Sequence, residues 1–149
     1  MTMETIALAS DHGAKALKDH LAAYLKTKGY AVLDLGADTS DAVDYPEYGY
    51  KLAQAIKDGQ ASKGILMCGS GIGISIAANR FVEIRAALVH DVTGARLARE
   101  HNNANVICLG GRMIGSDLAE ECIETFINTP FDGGERHVRR TGMLSNPPV

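Results

Sequence analysis

Five short apolar runs, each followed by a segment of helical periodicity, constrain this chain more than any other feature. Glu4 to Ala9 reads as a first strand. Ser10-Asp11-His12-Gly13 then turns it into a helix with apolar positions Ala14, Leu17, Leu21 and Leu25, ended by Gly29. Ala31 to Leu35 reads as the second strand. A polar loop from Gly36 to Pro46 leads into a helix from Pro46 to Asp58, stopped by Gly59. The third strand is Ile65 to Cys68, followed by a glycine turn and a helix to Arg80. A strand Ile84 to Val89, a helix Thr93 to Glu100 and a strand Asn105 to Leu109 complete the alternation. Gly115 to Asn128 is an amphipathic helix expected to turn Leu118, Cys122, Ile123 and Phe126 inward, and Phe131 to Val149 reads as a tail. Alternation at these lengths demands a mostly parallel sheet covered on both faces, because parallel crossovers are right-handed and lay helices over the sheet. The expected fold is α/β, a Rossmann-like three-layer α/β/α sandwich with a five-stranded parallel sheet.

At 149 residues the chain fits a single domain, 1–149, with 131–149 as its tail. A hydrophobic content of 46% with only 5% aromatics suits small helices packed closely on a sheet. The net charge of -3, with no basic stripe carrying interleaved aromatics, argues against nucleic acid as a partner. Cys68, Cys108 and Cys122 lack CxxC spacing and are too few for a disulfide scaffold, so free thiols in a reducing cytoplasm are expected. The longest uncharged run, Gly64 to Asn79, is too short and glycine-rich to span a bilayer, and MTMETIALAS does not read as a leader. The chain is expected to be soluble and cytoplasmic, with no membrane partner.

The chemistry concentrates in ILMCGSGIGISIAAN, Ile65 to Asn79, where an apolar strand ends on Cys68 and then on Gly69-Ser70-Gly71-Ile72-Gly73. A thiol at a helix N-terminus has its thiolate stabilised by the helix dipole and can act as base or nucleophile. The amides of Gly69 to Gly73 and the Ser70 hydroxyl can donate to an oxygen that gains charge when a neighbouring carbon loses a proton. A plainer reading stands beside this one: a buried cysteine is often a small hydrophobe, and a glycine turn only a tight turn. A dinucleotide reading is rejected, because the glycines are spaced GxGxG after the third strand and not GxGxxG after the first.

In open parallel sheets ligands bind outside the carboxyl ends of the strands. That rule gathers Asp11, His12, Cys68 to Gly73, His90, Asp91 and Arg112 on one edge. Asp11 and His12 can orient a substrate hydroxyl or cap the following helix. His101-Asn102-Asn103 falls at a helix-to-strand turn on the opposite edge, so His101 can reach Cys68 only if a second subunit brings it there. Arg112, Arg136 and Arg140 read either as a phosphate clamp or, for the two near the C-terminus, as a solvated basic end. His20 and His137 have no acidic partner by spacing, and Cys108 and Cys122 read as core. No HxxxH or HxH pair suggests a bound metal.

LASDHGA in the first turn, DYPEY at 44–48, ILMCGSGIGISIAANR at 65–80, REHNNANVICLGGR at 99–112 and GGERHVRR at 133–140 together resemble the ribose-5-phosphate isomerase B family. That family sits in a sugar-phosphate isomerase superfamily with galactose-6-phosphate isomerase subunits and allose-6-phosphate isomerases. The resemblance implies a homodimer with a shared active site, often paired into a tetramer, that interconverts ribose 5-phosphate and ribulose 5-phosphate with no metal or organic cofactor. It implies Cys68 as the base moving a proton between C1 and C2, and the glycine turn with Ser70 as the anion hole. His101 is implied as the acid that opens the furanose ring. Asp11, His12 and Asn102 are implied at the sugar, with Arg112, Arg136, Arg140 and nearby His12 at the phosphate. A second type of the family carries a glutamate base in the glycine turn. Ile74 occupies that position here, which resembles the cysteine type. His90 and Asp91 match no motif of the family. The rival expectations are an isomerase of an aldohexose phosphate and a non-catalytic sugar-phosphate-binding domain.

Overall fold

The computed structural model describes residues 3–148. Its five strands are β1 (Thr5–Ser10), β2 (Ala31–Asp34), β3 (Lys63–Cys68), β4 (Ala86–Leu88) and β5 (Val106–Gly110). They form one sheet in the order β2-β1-β3-β5-β4, and every pairing is parallel. A 3-10 turn (His12–Ala14) leads into α1 (Lys15–Thr27), followed by α2 (Tyr45–Lys57), α3 (Ile72–Ala78), α4 (Val92–Asn102), α5 (Ser116–Asn128) and α6 (Glu135–Leu144).

The central strands are buried on both faces, so they need no polar alternation. Ile6, Leu8, Ile65 and Met67 enter one layer with Leu21 and Leu25 of α1, Ala95 of α4 and Phe126 of α5. The intervening residues Ala7, Ala9, Leu66 and Cys68 enter the other layer with Leu52 of α2 and Ile74 of α3. The expected three-layer sandwich is the observed one. Small residues let its helices approach: a Cβ on Gly49 of α2 would lie 3.0 Å from that of Ala77 in α3. Among the described residues no helix is long and apolar enough to cross a membrane.

Several details depart from the periodicity. Leu118 is 38% exposed and Ala119 takes the inward place, because the buried stripe of α5 runs through 119, 122, 123, 126 and 127. β4 is half the expected length, since Ile84 is held in a turn by its N–H to the Phe81 carbonyl. The segment expected as a tail contains α6, whose buried residues are His137 and Thr141. Lys18 is buried on α1 and donates to both carboxylate oxygens of Asp34, at 2.9 and 2.8 Å, and to Asp19 at 2.8 Å.

Candidate active site

Strand order dictates where a crevice opens. From β1 the chain moves to one side to make β2 and then to the other to make β3, so the carboxyl ends of β1 and β3 flank a switch point. Backbone bonds tie these ends together: Asp11 N–H donates to the Met67 carbonyl at 3.2 Å and Gly111 N–H to that of Cys68 at 2.8 Å. Arg112 N–H donates to the Gly69 carbonyl at 3.0 Å.

Cys68 ends β3, is 4% exposed, and its Sγ accepts the Gly71 N–H at 3.2 Å. Gly71 has φ +77°, and a Cβ on it would lie 2.8 Å from the Leu109 carbonyl carbon, so only glycine satisfies both the backbone and the space. Ser70 Oγ accepts the Ile72 N–H at 3.2 Å. The Tyr45 ring covers Gly73 and leaves no room for a side chain there, while the Arg112 side chain lies along Gly69. The result is a thiol held over a turn of backbone amides with a guanidinium at its rim.

Asp11 Oδ1 accepts the Gly13 N–H at 3.1 Å, so one carboxylate oxygen does cap the 3-10 turn. His12 Nδ1 accepts the Val43 N–H at 3.1 Å and anchors the loop between β2 and α2. A neutral His12 with that acceptor carries its proton on Nε2, the atom left to donate to a ligand. His90, following β4, accepts the Gly110 N–H on Nε2 at 3.0 Å. Asp91 caps α4.

A second group lies elsewhere. α4 runs back along the sheet, so His101 and Asn102 at its end sit at the amino edge, beside the start of β5. The length of β3, five steps of about 3.3 Å, separates that edge from Cys68. Arg136 and Arg140 are exposed one helical turn apart on α6, which packs on α4. One chain therefore gathers Asp11, His12, Cys68 to Gly73 and Arg112, and holds His101, Asn102, Arg136 and Arg140 apart from them. His137 joins this second group by stacking on His101, a contact between positions 36 apart in sequence that no spacing reveals. His20 likewise meets Glu120, 2.6 Å away across α1 and α5.

Cys108 and Cys122 are fully buried. Burial pushes the Cys122 thiol up to about 11 and that of Cys108 further still.

Fold and crevice define an α/β protein whose switch point carries a thiol and a glycine turn in place of a dinucleotide fingerprint. The chain belongs to the Ribose/Galactose Isomerase family, whose model matches residues 6–144. It is 40% identical over 143 residues to ribose-5-phosphate isomerase B of Escherichia coli, covering 96% of this chain and 95% of that protein. It is 47% identical over 133 residues to D-erythrulose-4-phosphate isomerase of Pectobacterium atrosepticum, covering 89% and 88%. Among solved structures it is similar to a ribose 5-phosphate isomerase of Thermotoga maritima. The TM-score is 0.95 at 49% identity, over 98% of this chain and 100% of that one.

Proposed function

We propose that this chain is an aldose–ketose isomerase that interconverts D-ribose 5-phosphate and D-ribulose 5-phosphate in the cytoplasm. The observation that carries the reading is Cys68 at the switch point with its sulfur on the Gly71 amide. Names of relatives that align over nearly the whole chain support the substrate.

In the proposed reaction the furanose first opens: His101 donates a proton to the ring oxygen as its bond to C1 breaks, and the anomeric hydroxyl loses its proton to solvent as the C1–O1 carbonyl forms. The Cys68 thiolate then takes the proton from C2. The C2–H electron pair becomes the C1–C2 double bond and the carbonyl pair moves to O1. The turn from Gly69 to Gly73 with Ser70 holds that charge, the Gly71 and Ile72 amides passing from the Cys68 sulfur and Ser70 Oγ to the substrate oxygen, the kind of stabilisation worth several kcal/mol in a closed site. A proton passes from O2 to O1, and the thiol returns its proton to C1 to give the ketose. Asp11, His12 and Asn102 orient the sugar. Arg112, Arg136 and Arg140 grip the phosphate, because guanidinium forks match phosphate oxygens in pairs.

Since one chain keeps His101 apart from Cys68, the reading requires a homodimer in which His101 of the partner subunit faces Cys68, and the resemblance extends to pairing of such dimers into a tetramer. Three features support such contact. Ile72, Ile76, Val82, Leu88 and Val92 are exposed along α3 and the β4 edge. β4 is an edge strand, paired with β5 on one side and with no strand of the described residues on the other. A groove of about 740 Å³ beside it is lined by Phe81, Val82, Ile84, Asn102 and Leu144.

A second reading, isomerisation of a tetrulose 4-phosphate, is favoured by the 47% identity to the erythrulose phosphate enzyme. Turnover by chelator-treated protein of ribose 5-phosphate, erythrulose 4-phosphate, allose 6-phosphate and galactose 6-phosphate tests both. Preference for the pentose supports the first reading and preference for the tetrulose the second. A hexose preference keeps the chemistry with another substrate, and turnover of none leaves a binding domain.

A further inference from the structure

We propose that His90 is a positioning residue for this reaction, holding the glycine turn in place through the end of β5; the inference rests on the isomerase reading. β4 stops at Leu88, and its ladder to β5 extends only as far as Val89 N–H on the Cys108 carbonyl. The next donor along, the Gly110 N–H, therefore lacks a strand carbonyl on the β4 side. The His90 ring supplies one in its place, Nε2 accepting at 3.0 Å. That acceptor exists only in the ring with its proton on Nδ1.

What Gly110 does next gives the bond its reach. The following amides, Gly111 and Arg112, donate to the carbonyls of Cys68 and Gly69. A Cβ on Gly110 would lie 2.6 Å from the Ser70 carbonyl oxygen, and one on Gly71 would lie 2.9 Å from that of Leu109. Backbone therefore packs directly on backbone, with no side chain between to absorb a shift. Three successive amides, 110 to 112, fix the strand end to the imidazole on one side and to the thiol-bearing turn on the other. A displacement of Gly110 moves Ser70, Gly71 and the Arg112 side chain with it. Misplacement of reacting groups by about 1 Å can cost on the order of 100-fold in rate.

The test compares His90→Ala with His90→Gln, whose Oε1 is as many bonds from Cα as the imidazole Nε2 and can accept the same N–H. Steady-state kinetics on ribose 5-phosphate are expected to show kcat lowered about 10- to 100-fold in His90→Ala, with KM changed far less, and most of the loss restored in His90→Gln. Amide hydrogen exchange on the free proteins supplies a readout that needs no turnover. Gly71, Gly111 and Arg112 should exchange faster in His90→Ala while the β1 and β3 amides keep their protection. A wild-type chain that turns over no sugar phosphate overturns the isomerase reading, and the exchange pattern still decides whether His90 holds the turn. Unchanged exchange at those three amides overturns the inference. So does a His90→Ala enzyme with wild-type kcat, or one whose loss His90→Gln does not repair.

Discussion

The rings of His101 and His137 stack with centroids 4.6 Å apart and planes 7° from parallel. His101 sits exposed near the end of α4, whereas the His137 side chain is 8% exposed and faces Asp132 from α6, Nε2 to Oδ2 3.7 Å. In the proposed reaction the buried His137 ring would serve as a platform for the exposed His101 ring. His137→Ala should lower turnover of ribose 5-phosphate roughly 10- to 100-fold by freeing the His101 ring. His137→Phe, which keeps an aromatic plane, should recover most of that loss. Equal losses in the two variants would show that the stack does not orient His101.

Separation of Cys68 from His101 within one chain makes a complementation experiment decisive. Cys68→Ala should cost about 100- to 10,000-fold in rate while sugar phosphate still binds, as expected for loss of a proton-transfer group. His101→Ala should impair opening of the ring. Mixed and allowed to exchange subunits, the two inactive proteins should regain activity through hybrids carrying one intact site. Activity assays with subunit exchange verified by mass spectrometry check this, and no recovery would place both residues within a single chain's site.

Thiol chemistry should discriminate the three cysteines sharply. The thiolate is the reactive species, and at pH 7 a thiol raised to about 11 is ionised to roughly one part in 10,000. Iodoacetamide at neutral pH should therefore label Cys68 first and leave Cys122 and Cys108 intact in the folded protein. A sugar phosphate should protect Cys68. Peptide mapping gives the answer, and labelling of Cys108 ahead of Cys68 would contradict it.

The ion cluster under α1 predicts how stability responds to pH. Hydrogen bonds from Lys15 and then Lys18 hold the Asp19 carboxyl below its ordinary 3.8. Its folded pKa is thus below the unfolded one. The stability it adds is complete above pH 4 and is lost as pH falls through the folded value. Burial works against the Lys18 ammonium, but bonds to Asp19 and Asp34 outweigh it and raise the pKa above 10.5. That contribution is complete below 10.5 and disappears as pH rises past the folded value. Thermal midpoints should therefore form a plateau between these limits. Asp34→Asn should cost about 1–3 kcal/mol, more than Lys18→Met, because the first leaves a buried ammonium short of a partner and the second removes it. The reverse order would show that Lys18 is solvated in solution.

Most of the architecture was legible because strands and helices were bounded by glycines and marked by period. Cys68 through Gly73, Asp11, His12 and Arg112 could be assigned to one edge from the order of elements alone. Other features depend on contacts between distant positions. α6 escaped because ERHVRRTGML buries a histidine and a threonine instead of an apolar stripe. Lys18 lies outside the apolar positions Ala14, Leu17, Leu21 and Leu25, and only Asp34 at the end of β2 shows why it can be buried. The insertion of β5 between β3 and β4 has no sequence signature, and with it went the role of His90, which depends on β5 lying next to β4.

That insertion also sets a timetable. β5 is the last strand to leave the ribosome, yet it fills the slot between β3 and β4 and presses its backbone against Ser70 and Gly71. A nascent chain that has released the thiol but not Gly110 has no back wall for the turn and no neighbour for β4. Closure of the thiol-bearing turn therefore waits for the last strand of the sheet, and a chain cut short upstream of Gly110 lacks the backbone that packs against Ser70 and Gly71.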